Sequence, residues 1–184
     1  YSETGQRWGN PLFDWAAMAA DKHQWWTARI ARLLEHCDAM RIDHFIGFSR
    51  YWSVDADEET ATNGEWALGP GRALFDDIED ALGPLPLIAE DLGSVDEGTV
   101  ALRDALGLPG MRVLQFGMDG DKDNIHHPAN HPEFSVAYTT THDSPTAGGW
   151  WTDQGEGEQH RMGIGHDEGQ AARTMVDMTL QSPA

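Results

Sequence analysis

The chain has 184 residues, enough for one domain, with 31 acidic against 12 basic side chains and a net charge of −19. That balance excludes a nucleic-acid partner, which calls for a basic stripe, and no stretch of about 18 apolar residues offers a membrane span. Cys37, the single cysteine, excludes an internal disulfide and a thiolate metal cage. Lys22 and Lys122 are the only lysines, and surface carboxylate in such excess predicts a halophilic protein, kept soluble in concentrated salt. Opening on Tyr1 and stopping after Ser182-Pro183-Ala184, the sequence reads as an excerpt of something longer. No leader is visible in it, and the cytoplasm is the default location.

Residues 1–11 read as loop, broken by Gly5, Gly9 and Asn10-Pro11. From about Asp21 to Cys37, the residues Trp25, Trp26, Ile30, Leu33, Leu34 and Cys37 recur at helical spacing and predict a helix that feeds a strand over 39–43. Asp55 to Pro70 reads as an acidic loop carrying Trp66. Leu74, Phe75, Ile78 and Leu82 mark a second helix, stopped by Gly83-Pro84. Leu85 to Glu90 is a short apolar run of the buried-strand type. Ser94 and Glu97 form a capping-box pair that opens a helix to about Leu106.

Met111 to Phe116 is a third strand candidate, followed by a polar loop over 117–133 with Asp119, Asp121, Asp123, His126, His127 and His131. Neither zinc nor calcium spacing is met there, so a solvated loop is expected and no metal. Val136 to Thr141 is a β-branched fourth strand ending at His142-Asp143, and Ala171, Ala172, Met175 and Met178 outline a last helix.

Strands alternating with helices imply βα units and a parallel sheet. A complete (β/α)8 TIM barrel takes about 250 residues, so the four strands predict a partial barrel. Residues 1–184 would be an incomplete catalytic barrel domain lacking its N- and C-terminal parts. With open strand edges on both sides, the segment alone is expected neither to fold stably nor to turn over.

Three of the strands end on acids. In Ala39-Met40-Arg41-Ile42-Asp43, alternation puts Arg41 and Asp43 on one side and Met40 and Ile42 on the other. The second strand ends on Glu90-Asp91 and the fourth on His142-Asp143. All C-terminal strand ends of a βα barrel meet at one mouth, so Asp43, Glu90 and Asp143 are expected to converge. Asp91, sent to the other face by alternation, is read as structural. Converging acids serve either oxygen-ligand metal binding or glycoside chemistry by a carboxylate pair. Trp8, Trp52, Trp66, Trp150 and Trp151 tilt the choice to sugar, one or two of them as stacking faces.

The blocks Arg41-Ile42-Asp43-His44-Phe45, Gly47-Phe48, Tyr51-Trp52 and Ile88-Ala89-Glu90-Asp91-Leu92-Gly93 resemble the amylomaltases, the 4-α-glucanotransferases of glycoside hydrolase family 77. Ser2-Glu3-Thr4-Gly5-Gln6 with Trp8-Gly9-Asn10-Pro11-Leu12 is similar to that family's loop over the acceptor site. Pro109-Gly110-Met111, Val113-Leu114-Gln115-Phe116, Tyr138-Thr139 and Thr141-His142-Asp143 extend the likeness to about residue 151. Ser144-Pro145-Thr146 departs from the pattern, since many members have an asparagine after the aspartate, and Ile46 stands where an arginine is common.

The resemblance implies a retaining transfer of maltooligosaccharide segments between α-1,4-glucans, without a cofactor. Asp43 would be the nucleophile, Glu90 the general acid and base, and Asp143 the stabiliser of the distorted donor sugar. Arg41 would orient Asp43, while His142 and His44 would contact sugar. Trp8, Tyr1 and Phe116 would stack around the cleavage point, the Tyr1–Trp8 loop serving as a lid against water. An α-amylase-type hydrolase, an inactive glucan-binding fragment and a metal-dependent barrel hydrolase are the alternatives.

Overall fold

The computed structural model describes residues 3–184, in two compact units, Tyr1–Leu108 and Pro109–Ala184. In the first unit, residues 5–14 have no regular structure. They are tied down by Arg7, which donates to the carbonyls of Ala56 and Glu58, and by the Ala61 N–H on the Thr4 carbonyl at 3.0 Å. Helix α1 (Trp15–Ala20) starts at Asp14, whose Oδ1 accepts the Ala17 N–H at 2.9 Å. Helix α2 (Gln24–Leu34) follows. The one helix expected over 21–37 is therefore two. Lys22 and His23 take left-handed φ values of 57° and 51° between them, and the buried His23 holds that turn with Nδ1 2.7 Å from Asp77 Oδ2.

Next come β1 (Met40–Ile42), α3 (Ile46–Ser49), β2 (Arg50–Ser53), β3 (Glu65–Leu68), α4 (Arg72–Leu82), β4 (Leu87–Ala89) and α5 (Glu97–Ala105). Strands β1 and β4 are parallel, with Met40 opposite Leu87, Arg41 opposite Ile88 and Ile42 opposite Ala89. Their inward residues Ile42, Leu87 and Ala89 join Ile30, Phe45, Phe48, Leu74, Phe75 and Ile78 in one core.

Part of the stretch expected to be loop, residues 65–68, instead pairs antiparallel with β2. The Trp52 and Trp66 rings meet edge to face at 5.4 Å across that ribbon, a cross-strand pair of the kind that stabilises such ribbons. Gly69 then lies so close to α3 that a Cβ there would be 2.4 Å from the Phe48 carbonyl oxygen. Helix α5 is capped by Asp96 rather than Ser94. Its Oδ1 accepts the Thr99 hydroxyl at 2.7 Å and the Thr99 N–H at 2.8 Å, which holds the Asp96 carboxyl below its ordinary pKa.

In the second unit, β5 (Gly110–Val113) and β6 (Ser135–Tyr138) form another parallel pair, Val113 opposite Tyr138. Both strands stop short of the expected ends. Leu114–Gly117 coils into a 3₁₀ turn, where a Cβ on Gly117 would be 2.1 Å from the His126 carbonyl oxygen. Helices α6 (Ala147–Thr152), α7 (Glu156–Met162) and α8 (Glu168–Leu180) complete the unit, around Leu114, Trp151, Ile164, Ala171 and Met175.

The histidine loop is not simply solvated. His131 is buried, with Nδ1 2.6 Å from Ser182 Oγ and Nε2 2.9 Å from the His126 carbonyl. The four strands expected from the sequence are all present, within an α/β architecture, and among the described residues each unit pairs two of them. Among the described residues no helix is long and apolar enough to cross a membrane.

Candidate active site

The geometry starts from the register of β1 and β4. Carrying it one step past Ile42–Ala89 sets Asp43 beside Glu90. One more ladder bond follows, the Glu90 N–H on the Ile42 carbonyl at 2.9 Å; the chain then turns, and the Phe45 N–H rather than that of His44 reaches the Glu90 carbonyl, at 3.0 Å. Side chains on one level of a parallel pair share a face, so Arg41, Asp43 and Glu90 lie opposite to the core residues Ile42 and Ala89. Neighbouring strands run about 4.8 Å apart. At that spacing the two carboxyls are within electrostatic reach, and the Asp43 charge acts on Glu90.

The two acids are treated differently by their surroundings. Asp43 is exposed and accepts from Arg41 Nη2 at 2.8 Å. Glu90 is half-buried, and its oxygens take two backbone donors, the His44 N–H on Oε2 at 2.5 Å and the Leu92 N–H on Oε1 at 3.2 Å. Burial pushes the Glu90 pKa above the ordinary 4.5 of a glutamic acid, and the Asp43 charge pushes the same way. The two N–H bonds and Arg41 pull against them without reversing the sign. A carboxyl raised in pKa beside one paired with a guanidinium is the division of labour that acid and nucleophile need.

Asp91 is buried and accepts from Arg103 of α5, so it fastens helix to strand, as alternation predicts. Sequence reasoning missed the two backbone donors on Glu90. The only sign of either is Gly93, whose φ of 86° closes the turn that presents the Leu92 N–H.

In the second unit, Asp143 lies beyond the end of β6 and is exposed, paired with His142 Nε2 at 3.3 Å. Its N–H reaches Thr141 Oγ1 at 3.3 Å. The segment leading to it is anchored by Thr140, whose hydroxyl donates to Gln115 Oε1 at 2.7 Å. Phe116 is exposed and meets His126 edge to face at 5.6 Å. Trp8 is 74% exposed, a free indole on an irregular segment. Trp151 is buried in the second core, and the half-buried Trp150 packs against it. Tyr1 lies outside the described residues. The structure thus brings Arg41, Asp43, His44 and Glu90 together in the first unit and pairs His142 with Asp143 in the second.

The 4-alpha-glucanotransferase family profile matches residues 1–184. The potato (Solanum tuberosum) 4-alpha-glucanotransferase, named as chloroplastic/amyloplastic, is 50% identical over 151 residues, which is 82% of this chain and 26% of the relative. The 4-alpha-glucanotransferase of Clostridium butyricum is 44% identical over 164 residues, 89% of this chain and 34% of its own. An amylomaltase from Streptococcus agalactiae, solved in complex with acarbose, superposes with a TM-score of 0.80 at 39% identity over 87% of this chain and 32% of that one. The chain therefore spans between about a quarter and a third of the relatives it matches. It belongs to the 4-alpha-glucanotransferase family, glycoside hydrolase family 77.

Proposed function

We propose that the whole protein is a retaining 4-α-glucanotransferase, and that residues 1–184 are part of its catalytic (β/α)8 barrel domain, about four βα units of it. The observation that supports this reading is that Asp43 and Glu90 directly follow the paired ends of β1 and β4, near enough for the Asp43 charge to act on Glu90. Asp43 attacks C1 of the donor glucose while Glu90 gives its proton to the departing glycosidic oxygen, leaving a β-linked glucosyl-enzyme and a shortened glucan. Glu90, now a carboxylate, takes the proton of an acceptor 4-hydroxyl. That oxygen attacks C1 from the face the first glucan left, and Asp43 departs. The raised pKa of Glu90 favours the protonated form that the first step uses.

Asp143 binds hydroxyls of the donor sugar and steadies the oxocarbenium-like transition state, with His142 and His44 as further sugar contacts. Arg41 orients Asp43. Trp8, Tyr1 and Phe116 pack on sugar rings and keep water from the intermediate, which is what favours transfer over hydrolysis. The substrates are α-1,4-glucans and maltooligosaccharides. Plastid-targeted relatives such as the potato enzyme mean that family membership does not set the compartment; the cytoplasm and a saline habitat stay as proposals from composition.

Incubating the whole protein with maltotriose tests the reading. Glucose together with oligosaccharides longer than the substrate is the transfer result. Maltose and glucose alone would make the enzyme a hydrolase of the amylase type.

A further inference from the structure

We infer that His44 acts through its backbone, as a positioning residue whose left-handed conformation aims an N–H at the carboxyl of Glu90. This rests on the reading of Glu90 as the acid and base. In an extended strand, successive N–H groups point to opposite edges. Here two in a row turn to one residue of β4. The His44 N–H meets Glu90 Oε2 at 2.5 Å, and the Phe45 N–H meets the Glu90 carbonyl at 3.0 Å. What allows this is φ 50° at His44 followed by a right-handed Phe45 at φ −58°, which sends one N–H to the Glu90 side chain and the next to its carbonyl.

A left-handed conformation is costly for any residue with a Cβ. Three features hold His44 in it: Phe45 is fully buried, its N–H is fixed on β4, and the Gly47 N–H donates to the His44 carbonyl at 2.9 Å. Residue 44 thus carries two separable duties, an imidazole on the sugar side and an amide on the acid. The bonded amide favours the carboxylate form of Glu90, opposing burial and the Asp43 charge and acting with the Leu92 N–H and Arg41. On the far face the buried Asp91 is paired with Arg103.

The test replaces His44 by Gly, Ala and Val in the whole protein, since all three lack the imidazole and differ in their tolerance of left-handed backbone. The readout is the alkaline limb of the pH profile of kcat/KM, which follows the proton on Glu90. His44→Gly is expected to lose sugar affinity yet keep the wild-type limb. His44→Val is expected to move the limb up by about one pH unit, as loss of one amide bond to a carboxylate does, and to lose kcat more than KM. His44→Ala falls between, and carries the comparison with Gly should the Val variant not fold. One limb shared by all variants, or a Gly limb displaced as far as the Val limb, overturns the inference. Full activity in Glu90→Gln would instead remove the acid assignment beneath it, so the two failures are told apart.

Discussion

The two parallel strand pairs end in different ways. At the end of β1 and β4, Asp43 and Glu90 sit one register step beyond paired residues, and backbone N–H groups grip the Glu90 carboxyl from two sides. Past β5 and β6, the ladder goes on to Gln115, whose N–H meets the Thr139 carbonyl at 3.2 Å. Asp143 then comes four residues later on an exposed turn, beside the likewise exposed His142. Glu90 is held by the last ladder bond and two amides, Asp43 by Arg41 at the turn after β1, and Asp143 by an exposed turn. A residue fixed by register has a side-chain position that the strands decide, whereas a residue on a turn takes its position from whatever packs over it.

Substitution at the strand ends should separate these roles most strongly. Asp43→Asn and Glu90→Gln are each expected to lower kcat by roughly 10³-fold or more while substrate still binds, because the first step needs both the nucleophile and the acid. Asp143→Asn should cost roughly 10²–10³-fold, the loss of transition-state contacts alone. Steady-state kinetics with maltotriose measure all three, and a wild-type rate in either of the first two refutes the pair.

Arg41→Met should lower kcat/KM by roughly 10–100-fold through loss of a charge-assisted bond to Asp43. It should also shift the alkaline limb of the pH profile upward. Arg41 holds the Glu90 pKa down, so without it Glu90 keeps its proton to a higher pH.

A smaller effect separates the packing behind the two ends. Gly69→Ala and Gly117→Ala should each destabilise their own unit by about 1–3 kcal/mol, since both Cβ atoms would run into backbone oxygens that cannot move aside. Hydrogen exchange localises the loss to one unit or the other.

The smallest expected effect lies in acid. Burial holds His131 below the ordinary 6.5 of a histidine. Its neutral form therefore contributes stability that is full above pH 6.5 and fades as the pH falls from there toward the depressed value. His131→Asn should flatten that acid slope in the second unit and leave the first unchanged.

Much of this was legible in the sequence. The strand before Asp43 and the strand before Glu90 follow from apolar runs and their acidic ends, and the structural role of Asp91 follows from alternation alone. The hairpin of β2 and β3 was not legible, because Asp55–Gly64 is a long acidic connection and Glu-Trp-Ala-Leu is too short to show a period. Helix α6 escaped notice because Gly148 and Gly149 sit inside it, and glycine disfavours a helix. The α5 cap fell to Asp96 since its carboxylate reaches the Thr99 hydroxyl as well as the N–H, a second bond that no spacing rule counts. The amide donors on Glu90 could not be read at all, for they depend on the backbone angles of His44 and Gly93 rather than on side-chain identity.

The most direct measurement uses α-maltosyl fluoride with the Glu90→Gln form of the whole protein. Fluoride leaves without a proton, so Asp43 can still attack C1, but no base remains to activate an acceptor. Mass spectrometry of the quenched digest should then find one maltosyl group on the peptide that contains Asp43. An unmodified Asp43 peptide under turnover of the fluoride, or a maltosyl group on another peptide, would contradict the assignment of the pair.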